Sequence, residues 1–168
     1  MRIRGGYASA KNYFDAAIKE CPKYVLAYRH RAHVCHGLGY CLKAEATPTE
    51  GEIDAKANKQ VLQYMNQAEE DLKTVVKPNN GAVEDQLELA SYLNNGDKYS
   101  QALQVLNGAI QAKPDANSLY IERAETYKNL KKPEQQIADL QRVLAREPGN
   151  EAAKKDLSEA YHSLSKSD

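Results

Sequence analysis

The feature that most limits what this chain can become is a period. Ala102, Leu106, Ala109 and Ile110 lie ahead of Pro114; Ala68, Leu72, Val75 and Val76 stand thirty-four residues earlier, and Gln136, Leu140, Val143 and Leu144 thirty-four later. In each set the spacing puts all four side chains on one face of a helix. A proline then stops it. A further copy, Ala10, Phe14, Ala17 and Ile18 before Pro22, lies near the start. An amphipathic helix by itself needs no such period, so a fixed spacing of this length marks a stack of helical units.

Each of these phrases is half of a unit. Twelve residues before Ala102 comes Ala90 in DQLELASYL, and twelve before Gln136 comes Ala124 in SLYIERAETYKNL. A last copy, KKDLSEAYHSL, supplies Leu157, Ser158, Tyr161 and Leu164 with no second helix after it. The unit is therefore a pair of antiparallel helices, A then B. The stripe on each B helix faces its own A helix and the next unit.

This pattern resembles the tetratricopeptide repeat. Tyr120, Ala124 and Tyr127 match its helix A, and Ala102, Leu106, Ala109 and Pro114 match its helix B. The resemblance implies an all-α, right-handed superhelical solenoid of antiparallel helix pairs. Residues 1–24 read as a half repeat, 25–82 as an enlarged repeat, 83–116 and 117–150 as regular repeats, and 151–168 as a terminal capping helix. A start inside a unit suggests a piece of a longer protein, one from which an upstream targeting segment could be missing.

Three departures stand out. Gln136 replaces the usual alanine where two helices approach, which predicts a wider crossing. Pro78 arrives two residues early and is followed by NNGA, which predicts a longer connection with a turn. The largest is an insertion at about 40–63: Ala32 and Ala68 are 36 residues apart where 12 is expected. The apolar pattern continues through Leu38, Leu42 and Ala46, breaks at TPTEG, and resumes with Ile53, Ala57, Val61, Leu62 and Met65. Both helices are read as longer by about three turns, forming an elongated hairpin. A structureless loop is the rival arrangement.

The chain has no net formal charge, but residues 1–43 hold eight Lys/Arg against two Asp/Glu, and 44–76 hold three against seven. Three cysteines, Cys21, Cys35 and Cys41, have no metal-ligand spacing, and their odd number favours a reducing, cytoplasmic compartment. No segment reads as a membrane span or signal peptide.

In the family, the A helices line a groove that binds peptides or helices of partner proteins. Its groove-facing positions fall here on Leu26, Arg29, His33, His36 and Gly37, on Glu84, Leu87, Ser91, Asn94 and Asn95, and on Ser118, Ile121, Glu125, Lys128 and Asn129. The terminal helix adds Ala152, Lys155, Glu159 and His162. Arg29, His33, His36, Ser91, Asn94, Asn95, Glu125, Lys128 and Asn129 are the candidate binding residues. Asn94, Asn95 and Asn129 have two readings. Each amide can pair with a bound peptide backbone, or serve as a helix-terminal residue tolerant of left-handed geometry.

Some members grip a chaperone's C-terminal carboxylate with Lys, Asn and Arg. Here His33, Glu88 and Glu122 occupy positions that would need asparagine or arginine, so that ligand is not expected. His30, His33, Cys35 and His36 do not converge on one face, so no metal is expected. His33 and His36 with Arg29 instead form a mildly pH-sensitive basic wall, and Tyr24, Tyr28 and Tyr40 are read as packing residues.

Nucleic acid is disfavoured because the basic pole stands beside mixed or acidic positions. No glycine-rich phosphate loop or nucleophile motif is present, and Glu69, Glu70 and Asp71 read as a solvated helix face, so no enzyme and no cofactor are expected. Self-association, or service as the targeting part of a larger enzyme, are the alternatives to a peptide-binding scaffold.

Overall fold

A computed structural model of the chain describes residues 2–45, 55–77 and 81–165. Among them lie eight α-helices and no strand: α1 (Arg2–Glu20), α2 (Val25–Glu45), α3 (Ala55–Val76), α4 (Val83–Asn95), α5 (Tyr99–Ala112), α6 (Asn117–Asn129), α7 (Pro133–Arg146) and α8 (Glu151–Leu164). They divide between two compact units, Met1–Pro78 and Asn79–Asp168.

In the first unit α2 packs against both α1 and α3. Its buried face is Ala27, Ala32, Cys35 and Leu38, met by Ala68, Leu72 and Val75 of α3. Phe14 of α1 stacks on His30 with ring centroids 5.5 Å apart. α2 carries two glycines in its interior, each costing about 1 kcal/mol of helix propensity against alanine. Close packing explains both. A Cβ on Gly37 would lie 2.8 Å from the Tyr7 ring, and one on Gly39 would lie 2.6 Å from Cε of Met65.

The hairpin α2–α3 is elongated. Its helices run 21 and 22 residues, against 13 or 14 in every helix from α4 to α8. Within the described residues that is about two extra turns each. The expected break at TPTEG and restart at Ile53 lie outside the described residues, as does Pro78 with the two asparagines that follow. Gly81 adopts a positive φ of 64°.

In the second unit two apolar clusters alternate along the chain. Ala90, Leu106, Ala109 and Leu119 form one, and Tyr120, Ala124, Leu140, Val143 and Ala153 the other, with Ile110 packed against both. The α5 stripe thus faces helix A of its own pair and the first residues of the next. Gln136 is buried in that packing at 4% exposure. Each A-to-B connection closes the same way: Lys98 N–H donates to the Leu93 carbonyl and Lys132 N–H to Tyr127, around positive-φ residues Asp97 (57°) and Lys131 (55°). The left-handed residue of each turn is therefore Asp97 or Lys131, and not Asn95 or Asn129, which end their helices.

Outside this apolar pattern, the two units contain the same polar clamp. Arg31 of α2 donates twice to Asp71 of α3, at 2.8 and 2.7 Å, and once to Asp15 of α1 at 2.7 Å. Arg123 of α6 donates twice to Asp139 of α7, at 2.8 and 2.6 Å, and once to Asn107 of α5 at 2.7 Å. Below each, Tyr28 and Tyr120 donate to the Pro22 and Pro114 carbonyls, and the guanidinium sits over its tyrosine ring at 5.6 and 5.5 Å. Each arginine ties one A helix to its own B helix and to the one before. In the repeat between them, the period places Leu89 and Val105 where the arginine and aspartate would stand.

The clamp corrects the reading of Glu69, Glu70 and Asp71. Only Glu70 is exposed; Asp71 is 2% exposed under Arg31, and buried Glu69 pairs with Lys73 at 2.7 Å. Burial tends to raise the Asp15 pKa, but its bonds from Lys11 and Arg31 outweigh that and hold it low. Tyr24 and Tyr40 prove to be about half exposed, whereas Tyr28 is tied in by its bond to the Pro22 carbonyl. In α8 the buried residues are Ala153 and Ala160, whereas Ser158 and Tyr161 face solvent, because α8 packs mainly on α7 and nothing described covers its far edge.

Candidate functional site

The candidate residues fall on A helices of both units. In the first unit Arg29, His33 and His36 lie along α2 with Leu26 and Tyr40, which are 44% and 50% exposed. His33 is exposed, whereas Arg29 and His36 are half-buried. The Tyr40 ring meets His36 edge-on at 4.7 Å. Burial, with His33 adding to it, lowers the His36 pKa below its ordinary 6.5, so this imidazole is neutral at pH 7. The face thus sets Leu26 and Tyr40 beside Arg29 and an exposed His33, with half-buried His36 held toward its neutral form.

In the second unit α4 packs against α6, and two of the candidate residues, Asn94 and Lys128, bond to residues of a neighbouring A helix. Asn94 is buried; its Nδ2 donates to Glu122 Oε1 and to Thr126 Oγ1, both at 2.9 Å, while its own Oδ1 has no donor. Lys128 pairs with Glu159 of α8 at 3.2 Å and reaches Glu125 at 4.0 Å. Asn95 and Asn129 are exposed and Ser91 is half-buried.

Of the three asparagines, Asn94 therefore acts within the protein, joining two A helices, while Asn95 and Asn129 remain open to a ligand. Sequence reasoning missed Glu122 and Thr126 as its partners. Burial, together with nearby Glu125, raises the Glu122 pKa despite the bond from Asn94.

The cysteines are unbonded; Cys21 is exposed and Cys35 is buried in the α2 face. No three His, Cys, Asp or Glu side chains among the described residues converge as metal ligands. No described helix is long and apolar enough to cross a membrane.

Comparison with known proteins bears on the class. No protein-family model matches the chain. A stretch of 71 residues, 42% of the chain, is 37% identical to Sperm-associated antigen 1 of Mus musculus and equally to that of Rattus norvegicus. The match spans 8% of the length of those relatives. Two crystal structures of MamA superpose with a TM-score of 0.64 at 19% identity, over 98% of this chain and 76% and 82% of theirs. The fold is an all-α helical repeat of the tetratricopeptide type.

Proposed function

We propose that this chain is a non-catalytic interaction module of the tetratricopeptide repeat family, holding an extended or helical segment of a partner protein on its A helices. In that reading the repeats run 25–82, 83–116 and 117–150, with 151–168 closing the stack. The observation that carries it is in the second unit. Across α4, α6 and α8, Asn94 is bonded to Glu122 and Lys128 to Glu159, leaving Asn95, Glu125 and Asn129 exposed beside them. Such a wall offers donors and acceptors to a peptide backbone on a rigid, pre-formed support.

The test is affinity capture from a native cell extract by the parent and by an Arg29→Glu, Asn95→Ala, Lys128→Glu variant of unchanged helicity, read by mass spectrometry. A protein held by the parent and lost by the variant supports the reading. Equal capture by both moves the site elsewhere. A second reading, self-association, is favoured by Tyr13 and Leu62, which are 71% and 61% exposed in the first unit. Light scattering over a concentration series decides it, because a monomer throughout removes it.

A further inference from the structure

The second unit's A-helix wall bears a charge imbalance that no described residue relieves. Glu122 is half-buried, and among the described residues no cation pairs with it. The two cations on its own helix are committed elsewhere: Arg123 to Asp139 and Asn107, and Lys128 to Glu159. Glu125 stands one turn on, 51% exposed, with only Lys128 at 4.0 Å.

A second observation is independent of these carboxylates. Asn94 is nine-tenths buried, and its Oδ1 lacks a donor. That oxygen shares a carbon with the Nδ2 that donates to Glu122, so the orphan acceptor lies at the carboxylate's side. A buried acceptor left unmade is costly, which makes the arrangement a standing demand for a donor. Burial shifts Glu122 toward holding a proton, the smallest cation that could answer it.

We infer that this wall takes a cationic side chain of the partner segment, a lysine or arginine seated between Glu122 and Glu125 and within reach of Asn94 Oδ1. The chemistry matches in number as well as charge: an ammonium carries three donors and no acceptor, and a guanidinium carries five. Bonds between charged donors and carboxylates are about twice as strong as neutral ones. The inference rests on the peptide-binding reading above and sharpens it, since an acidic segment at the same place would face uncompensated carboxylates.

The test uses the full chain and a pool of nine-residue random peptides whose central position is fixed as Lys, Arg, Gln or Glu, with binding read by fluorescence anisotropy. The Lys and Arg pools are expected to bind roughly tenfold more tightly than the Gln pool, with the Glu pool weakest, and the preference to shrink with added salt. Glu122→Gln keeps the acceptor for Asn94 and removes the charge, so it is expected to cut the preference to about threefold or less. Glu134→Gln, on α7 away from this wall, serves as the charge-matched control and retains it; melting curves establish that both variants fold. Binding without charge preference, or a preference that survives Glu122→Gln, overturns this inference and leaves the peptide-binding reading standing. Absence of binding by every pool overturns both.

Discussion

Asp71→Asn tests whether the arginine clamp holds the first unit together. The substitution keeps the shape of the side chain and removes its charge. In the parent, Asp71 is 2% exposed and accepts two bonds from Arg31, plus one at 3.0 Å from Gln67. The variant amide turns one acceptor into a donor facing guanidinium N–H groups. Removing one partner of a buried ion pair costs about 3–5 kcal/mol. Arg31 keeps Asp15 at 2.7 Å, and Asp15 is 37% exposed, so water shares in the compensation. The lower end applies, about 3 kcal/mol, or about 6–12 °C in melting temperature for a chain of this size.

The protein supplies its own control. Arg31→Leu/Asp71→Val copies the Leu89 and Val105 of the following repeat, and an apolar pair of similar volume is often neutral or better than an ion pair. Chemical denaturation of the two singles and the double forms a closed cycle. The double is expected to lie within about 1 kcal/mol of the parent, well above either single. A loss below about 1 kcal/mol for Asp71→Asn, or a double as unstable as the sum of its singles, would refute the reasoning.

Further outcomes follow from the same packing. Gly37→Ala forces the Tyr7 ring back from a 2.8 Å approach and is expected to cost about 1–3 kcal/mol, a loss that Tyr7→Ala should suppress in a double-variant melt. Burial pushes the Cys35 thiol up to about 11, so iodoacetamide at pH 8 should modify exposed Cys21 while sparing Cys35; equal rates in the native protein would contradict the packing. Glu122, raised by burial, binds its proton more readily folded than unfolded. Stability should therefore fall as pH rises from the ordinary 4.5 through its native value, and Glu122→Gln should flatten that slope in denaturation curves at several pH values.

The repeat itself was legible in the residues alone. Ala102, Leu106 and Ala109 are buried along α5, and the B helices α1, α5 and α7 stop just short of Pro22, Pro114 and Pro148, because both facts depend on local geometry. A stripe recurring every three and four residues can bury only one face, and proline can end a helix without help from elsewhere. For the excess of chain between α2 and α3, the described residues give two helices of 21 and 22 residues, in keeping with an apolar period that runs on through Leu38 and Leu42 and is present again at Val61 and Met65.

What only the tertiary structure decided is the fate of the polar residues. Asp71 looked like part of a solvated run and is buried under Arg31, forty residues away in sequence. Asn94 had two readings, peptide ligand or helix-terminal residue, and its Nδ2 binds Glu122 and Thr126 on the next A helix while its Oδ1 is left without a donor. His33 and His36 looked like equal parts of a basic wall, and Tyr40 and burial set His36 apart. Tyr161 occupies a core position of the repeat, yet in α8 it is exposed and its hydroxyl accepts from Gln141 at 2.8 Å. Whether a charge or amide is solvated, paired or orphaned depends on which helix lies against it and at what rotation. That is set by the packing of apolar faces between helices within each unit, information no local window of sequence contains.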